Sequence, residues 1–436
     1  MDTSRLAVNA SGHLLFGGCD TVALAHKYGT PAYIMDGNQI TANMRECMRA
    51  MQTYFEKYRV YYASKAFLCT ALCKMAQKEG LCLDVVSAGE LYTALHAGFP
   101  GDRIALHGNV KTETEIEMAV DNGCTLMVDS IAEIADIQAV AQRLQKRARV
   151  AVRVTPGVEA HTHAYIQTGI SDCKFALGME DGQAMAAIGE ILCMPMLDFC
   201  GLHCHIGSQI LSDEPFEKAA VNMAHFALQV QKETGVAVRE LTMGGGFGIH
   251  YAGDEKPLPV LDYIGRIHKG LQSVYGAAGM PLPEVHIEPG RYIVGEAGIT
   301  LYTAMVEKHV PGVRTFLSVD GGMADNPRVM LYQAQYEAVV ANRAKDAPQK
   351  TVRLAGRCCE SGDVLIDDLA LPQVHKGDII AVFSTGAYNY AMASNYNKLP
   401  MPPVVLVQDG RDALIVRGQT LEDMVRWDVV PQWLCE

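Results

Sequence analysis

Four stretches of this chain end on residues that can do chemistry. Val285-His286-Ile287 runs into Glu288-Pro289-Gly290-Arg291, an acid, a turn and a guanidinium. Tyr62-Ala63-Ser64-Lys65 ends on an amine. His203-Cys204-His205-Ile206-Gly207-Ser208 offers two flat rings and a hydroxyl, and Met243 leads into Gly244-Gly245-Gly246-Phe247. Short apolar runs precede these groups, so each is read as lying at the end of a strand.

Lys65 follows four largely apolar residues. Burial would strip its solvation, lower its pKa and free the amine to take an aldehyde as an imine. Alone, such a lysine is commonly a solvated or snorkelling side chain; its place in a series of strand ends favours chemistry. His203 and His205 flank Cys204 and on a continuing strand share a face. They read as hydrogen-bonded core histidines, as zinc ligands, or, for His205, as a flat ring against a cofactor with Ser208 near its phosphate. His161 and His163 repeat the spacing. Metal-dependent barrel hydrolases carry such a pair on the first strand, whereas here it falls near the sixth, and no resident metal is expected.

Gly244, Gly245 and Gly246 can turn backbone N–H groups toward an anion because no Cβ intervenes. A glycine triplet alone is usually just a turn. Gly290 and Arg291, after the next strand, would add a guanidinium to the same phosphate. Glu288 is suited to stand beside a pyridine nitrogen and keep it protonated, or else is a carboxylate at a helix N-terminus or the salt-bridge partner of Arg291. An imine-forming lysine, a stacking ring, a phosphate nest and an acid for a ring nitrogen are together what pyridoxal 5'-phosphate requires.

These groups need elements to position them. Apolar runs at Val60-Ala63, Leu83-Val86, Ile104-Leu106, Leu126-Val128, Val150-Val154, Gly201-His203, Leu241-Met243 and Val285-Ile287 alternate with stretches of helical period such as Ile131 to Arg147 and Glu217 to Lys232. Eight strand–helix units in about 230 residues have the rhythm of a (β/α)8 barrel, in which active residues follow the strand C-termini. An open doubly wound sheet is the rival, weakened because no Gly-x-Gly-x-x-Gly follows the first strand. Beyond about Gly298 the pattern changes to strands separated by Gly, Pro and Asn turns, at Leu301 to Val306, Thr315 to Val319, Thr351 to Leu354, Asp378 to Phe383 and Val404 to Val407. The expected layout is a barrel over 35–293, and a mostly antiparallel β-sandwich or β-barrel domain from 294–436 with 1–34. Leu6-Ala7-Val8 and Leu14-Leu15-Phe16 are candidate strands of that second domain.

In the second domain, Gly356-Arg357-Cys358-Cys359-Glu360-Ser361-Gly362-Asp363 sets vicinal cysteines beside acids. Such neighbours bridge only with strain, so no disulfide is expected there. A lone cysteine is ordinarily packing; in a polar, glycine-flanked turn, proton transfer is the better reading of Cys359. Gly386-Ala387-Tyr388 puts a phenol in a flexible loop. Composition narrows the partners. The 436 residues suffice for two full cores, and a net charge of -12 disfavours nucleic acid and anionic membranes. No apolar run reaches the ~20 residues of a membrane span. Thirteen scattered cysteines without an N-terminal signal suggest a reduced, cytoplasmic setting.

Nearly the whole chain resembles diaminopimelate decarboxylases, within the fold-type III pyridoxal-phosphate group that includes ornithine and arginine decarboxylases and alanine racemase. Lys65, His205-Ile206-Gly207-Ser208, Gly244-Gly245-Gly246-Phe247 and Glu288-Pro289-Gly290-Arg291 carry the group-wide resemblance. His161-Thr162-His163 with Gly169 to Phe175, Asn326-Pro327-Arg328 with Leu331-Tyr332, Cys359-Glu360-Ser361-Gly362-Asp363, and Gly386-Ala387-Tyr388 with Met392 to Asn397 narrow it. The polyamine-forming relatives typically have aspartate after the motif cysteine, where this chain has Glu360. The resemblance implies decarboxylation of meso-2,6-diaminopimelate to L-lysine, the last step of lysine biosynthesis. It also implies a homodimer with shared active sites, in which Cys359 and Glu360 serve the other subunit's cofactor. Lys65 would hold the cofactor, and Cys359 would return the proton. Arg291, Arg328, Tyr332, Glu360 and Tyr388 would contact the substrate, with Tyr388 also near the phosphate. The alternatives are a decarboxylase of another basic amino acid or a carboxylated polyamine, and a metal-dependent barrel hydrolase. The chain departs from the family pattern at Cys173, Tyr292, Val329, Met330 and Lys398-Leu399-Pro400-Met401.

Overall fold

A computed structural model describes residues 6–158 and 173–435. His161, Thr162, His163 and Gly169 to Asp172 therefore lie outside the described residues. The chain divides into two compact units, Thr41–His250 with Glu255–Ile293, and Met1–Ile40 with Tyr251–Asp254 and Val294–Glu436.

The first unit is the expected barrel. Its strands are β1 (Tyr58–Ala63), β2 (Cys82–Val85), β3 (Ile104–Leu106), β4 (Thr125–Val128), β5 (Ala148–Thr155), β6 (Leu197–His203), β7 (Glu240–Thr242) and β8 (Glu284–Ile287). All pair in parallel, β8 pairs back to β1, and β5 pairs with β6, so the sheet closes on itself. Tyr61, Cys82, Ala105, Met127, Ala151 and Cys200, one from each of six strands, form a buried cluster, so the barrel is packed like a core and is no pore. Several strands begin earlier than their apolar runs do, and in four of them a charged, paired residue at the first or second position interrupts the apolar pattern. Arg59 of β1 donates to Glu284 of β8 at 2.9 Å, and Arg149 of β5 pairs with Glu240 of β7. Outside lie amphipathic helices, among them Glu214–Thr234 and Val260–Ala277, whose buried residues recur at helical spacing.

The second unit is built on one mostly antiparallel sheet. Its order is Val364–Leu371, Lys350–Ala355, Arg314–Val319, Gly298–Val310, Ala32–Asp36, Val404–Gln408 and Arg411–Val416. Two neighbouring pairs, Arg314–Val319 with Lys350–Ala355 and Ala32–Asp36 with Val404–Gln408, are parallel. Ile379–Val382 joins the first half of the thirteen-residue strand Gly298–Val310. The N-terminal contribution to this sheet is Ala32–Asp36. Leu15–Phe16 instead pairs with Cys19–Asp20 in a separate two-stranded ribbon, and Val8 makes a single bridge to Leu14. After Val416 the chain runs mainly in turns. Trp427 and Trp433, its two tryptophans, are 85% and 72% exposed there. Among the described residues no helix is long and apolar enough to cross a membrane.

Candidate active site

In the barrel unit the loaded residues do gather just past the strand C-termini. β1 stops at Ala63, and Ser64–Ala66 makes one tight turn that carries Lys65. The Tyr62 hydroxyl, fully buried, pins that turn by donating to the Phe67 carbonyl at 2.6 Å. Lys65 itself is exposed, so the desolvation expected of it is not supplied by the protein around it. The ammonium acts on its neighbours, helping to hold down the pKa values of Asp84 and Glu90 and disfavouring a charged His205. Burial is the larger influence on both carboxyls: it raises the Asp84 pKa and pushes Glu90 up to about 7.

Glu288 follows β8 and is 6% exposed. His203, the last residue of β6, donates from Nε2 to Glu288 Oε2 at 2.9 Å. His107, directly after β3, lies with Nε2 3.1 Å from Glu288 Oε1 and 3.6 Å from Oδ1 of Asp84 on β2. Burial opposes charge on Glu288, but the two imidazoles outweigh it and hold the carboxyl well below its usual range. Because β6 ends at His203, the alternation that would put both histidines on one face does not extend to His205. The two rings have different partners: His205 Nδ1 accepts the Gly245 N–H at 3.3 Å. Burial, then the Lys65 and Arg153 charges, push the His205 pKa well down, so it is a neutral ring.

The glycine turn after β7 is needed for close packing. A Cβ on Gly245 would sit 2.0 Å from the Glu288 carbonyl oxygen, and one on Gly246 would sit 2.1 Å from that of Gly207. Gly244 and Gly246 also take φ of 70° and 96°, which disfavour a side chain. One expected anion donor is otherwise engaged, since the Gly245 N–H goes to His205. On the facing turns, Arg291 is 4% exposed and donates to Ser208 Oγ at 2.9 Å through Nη2 and 3.3 Å through Nε. Gly290 packs beside Ala63 and Ala66, and the Pro289 carbonyl accepts the Ala63 N–H at 3.2 Å. The departure at Tyr292 has a local reason: its hydroxyl donates to Glu46 at 2.9 Å.

The second unit holds the other candidates. Arg328 is 7% exposed and, among the described residues, has no ion-pair partner. Its guanidinium lies over the rings of Tyr251, Tyr332 and Tyr388 at 5.7, 5.4 and 5.4 Å, and Nε donates to the Tyr336 hydroxyl at 3.1 Å. Tyr388 is held at φ 65°, a left-handed conformation that costs a non-glycine residue about 1–3 kcal/mol. Asp363 organises the cysteine turn by accepting from Met323 N at 2.6 Å and Cys358 N at 2.7 Å. The Cys359 N–H donates to Asn397 Oδ1 at 2.7 Å, and the side chains of Cys359 and Glu360 are exposed. No disulfide forms, and burial pushes the Cys358 thiol up to about 11. Met330 packs near Gly362, and Lys398 donates to Met424 O at 2.8 Å, so two further departures serve local packing.

Sequence reasoning missed Asp84, His107 and Arg153. Each lies on or just past a barrel strand, so applying the strand-end rule to all eight strands would have found them. Pyridoxal phosphate fits these residues. A pyridine nitrogen needs a buried anion, and Glu288 Oε1 is buried with no well-directed hydrogen bond among the described residues. A phosphate needs cationic donors, and Arg291 stands on the turn next to Ser208.

Residues 41–295 match the family model described as the pyridoxal-binding domain of pyridoxal-dependent decarboxylases. The diaminopimelate decarboxylase of Bacillus subtilis is 46% identical over 423 residues, covering 97% of this chain and 96% of its own. That of Staphylococcus aureus is 43% identical over 419 residues, covering 96% and 98%. The crystal structure of the M. jannaschii diaminopimelate decarboxylase with L-lysine superposes with a TM-score of 0.92 at 34% identity, covering all of both chains.

Proposed function

Since the chain belongs to the diaminopimelate decarboxylase family of pyridoxal-dependent decarboxylases, we propose how its own residues carry that reaction. The enzyme is a carboxy-lyase that converts meso-2,6-diaminopimelate to L-lysine and CO2. When bound, pyridoxal 5'-phosphate supplies a ring that withdraws electrons from the carbon losing CO2. Lys65 would hold the cofactor by its amine and His205 would lie against the ring. Glu288 would face the ring nitrogen and keep it protonated. Ser208, Gly244, Gly246, Gly290 and Arg291 would hold the phosphate end, with Gly245 tying His205 in place, Pro289 setting the turn and Tyr388 approaching it. Cys359 would return a proton to the α-carbon after CO2 leaves.

The buried guanidinium of Arg328, without an ion-pair partner among the described residues, is the observation that carries the substrate assignment. Diaminopimelate is charged at both ends, so its distal carboxylate needs a cation and its distal ammonium an acid. Arg328 supplies the first, with Tyr332 and Tyr388 stacked on it, and Glu360 supplies the second. Arg291 would contact the substrate from the barrel unit. Arg328→Ala is expected to lower kcat/KM for diaminopimelate about a hundredfold, roughly 3 kcal/mol for a charged partner left unpaired. Binding of cadaverine, a diamine with no distal carboxylate, should change little, whereas the product L-lysine keeps that carboxylate and should bind more weakly. Equal losses for diaminopimelate and cadaverine would make Arg328 a structural residue.

We further infer a homodimer in which the exposed Cys359 and Glu360 of one copy complete the barrel site of the other. Mixing Lys65→Ala chains with Cys359→Ala chains should then restore up to about a quarter of wild-type activity, because half of randomly paired dimers are mixed and each has one intact site. Mixed dimers without recovered activity would assign Cys359 to its own barrel or remove it from the chemistry. Thirteen free thiols support a reducing, cytoplasmic setting.

A further inference from the structure

We propose that His107, steadied by Asp84, is a positioning residue for the decarboxylation: it holds the Glu288 carboxylate charged and in one place for the cofactor's ring nitrogen. The inference rests on the reading of Glu288 given above and adds the machinery behind it.

A buried carboxylate left alone takes up a proton. A protonated Glu288 could not keep a ring nitrogen cationic, so the surrounding residues must favour its charge. Two imidazoles face it, and their roles differ. His203 meets Oε2 at 2.9 Å. Burial drives its pKa down to about 4, so at neutral pH it is an uncharged N–H donor. His107 turns one nitrogen, Nε2, toward two carboxylates, Glu288 Oε1 at 3.1 Å and Asp84 Oδ1 at 3.6 Å. Burial works against its charge as well, but Asp84 and Glu288 together outweigh it and the pKa is raised. Of the two rings His107 is the one whose surroundings favour charge, with Arg153 opposing it and Lys65 acting on Asp84. The two rings meet edge to face, centroids 4.8 Å apart at 68°, which fixes both planes.

The consequence concerns where one proton resides. A proton shared by a carboxylate and a pyridine nitrogen settles on the stronger base. An imidazole N–H turned toward Glu288 at 3.1 Å makes the carboxylate the weaker base, so the nitrogen keeps the proton.

The test is the ring-nitrogen NMR signal of isotopically labelled pyridoxal 5'-phosphate bound to the full-length enzyme, with kinetics alongside. Wild type should give a protonated nitrogen. His107→Phe, which keeps a ring but no donor, should move the signal toward the unprotonated form. It should also lower kcat on the order of ten- to a hundredfold, the size that outer partners of metal ligands carry, with little change in KM. His107→Gln restores an N–H donor and should recover part of both. Asp84→Asn should shift the signal the same way to a smaller extent, and it covers the case in which the phenylalanine variant fails to fold. Glu288→Gln is the control. An unchanged nitrogen in the His107 and Asp84 variants, beside a changed one in Glu288→Gln, overturns the role of His107 alone. A nitrogen unchanged in all of them overturns the reading of Glu288, and the inference with it.

Discussion

Lys65→Ala should abolish turnover, with a loss of about four orders of magnitude or more. No other group replaces a nucleophile that holds the cofactor covalently. Folding should be intact, because Lys65 is exposed and the turn that carries it is held by the Tyr62 hydroxyl on the Phe67 carbonyl. Borohydride reduction of the wild type followed by peptide mapping should place the cofactor on Lys65, and the variant should carry no such adduct there. A label on another lysine, for example Lys111 or Lys174, would reassign the anchor. Lys111 is a poor rival on geometry, since its ammonium is tied to two backbone carbonyls and to Glu133 at 2.8 Å.

The second large effect is expected at Glu288. Glu288→Gln preserves shape and removes the charge, so the cofactor should remain bound while kcat falls about 10²–10³-fold, roughly 3–4 kcal/mol of lost electrostatic stabilisation. The amide also fits its surroundings worse. Its oxygen can accept from only one of His203 and His107, and its NH2 group then faces the other imidazole. Cofactor content by absorbance, measured beside kcat, separates this outcome from simple loss of the cofactor. A near-normal rate with full cofactor would mean that another group sets the ring's protonation.

All eight barrel strands were legible in the sequence because each carries a short apolar run, and four of those runs end on residues that can do chemistry. Several of the starts were not. Arg59, Arg149, Glu240 and Glu284 break the apolar pattern, and only the folded barrel shows that they neutralise one another in pairs. In the second unit, Val364–Leu371 escaped notice because it is an edge strand bearing exposed Asp367 and Asp368. Ala32–Asp36 escaped for the opposite reason. It lies in mid-sheet with four of its five residues buried, and five residues without alternation carry no strand period. At the site, residue type located Lys65, His205, Glu288 and Arg291 at strand ends. The exposure of Lys65 and the bond from Gly245 to His205 depend on neighbours distant in sequence. His107 and Asp84 were in plain view at strand ends but belong to no familiar motif, and their meaning comes from meeting Glu288.

The placement of the two tryptophans has a spectroscopic consequence. Trp427 and Trp433 both lie in the terminal stretch, and both are largely solvated in the single chain. Indole emission from this enzyme therefore reports on that stretch and carries no direct signal from the barrel core, whose buried aromatics are tyrosines and phenylalanines such as Tyr61, Tyr62, Tyr263 and Phe216. A denaturation curve followed by tryptophan fluorescence would track the tail while the barrel stayed dark. Far-ultraviolet circular dichroism or tyrosine absorbance is the probe that sees the barrel unfold, and a midpoint that differs between the two probes would measure how independently the tail comes loose.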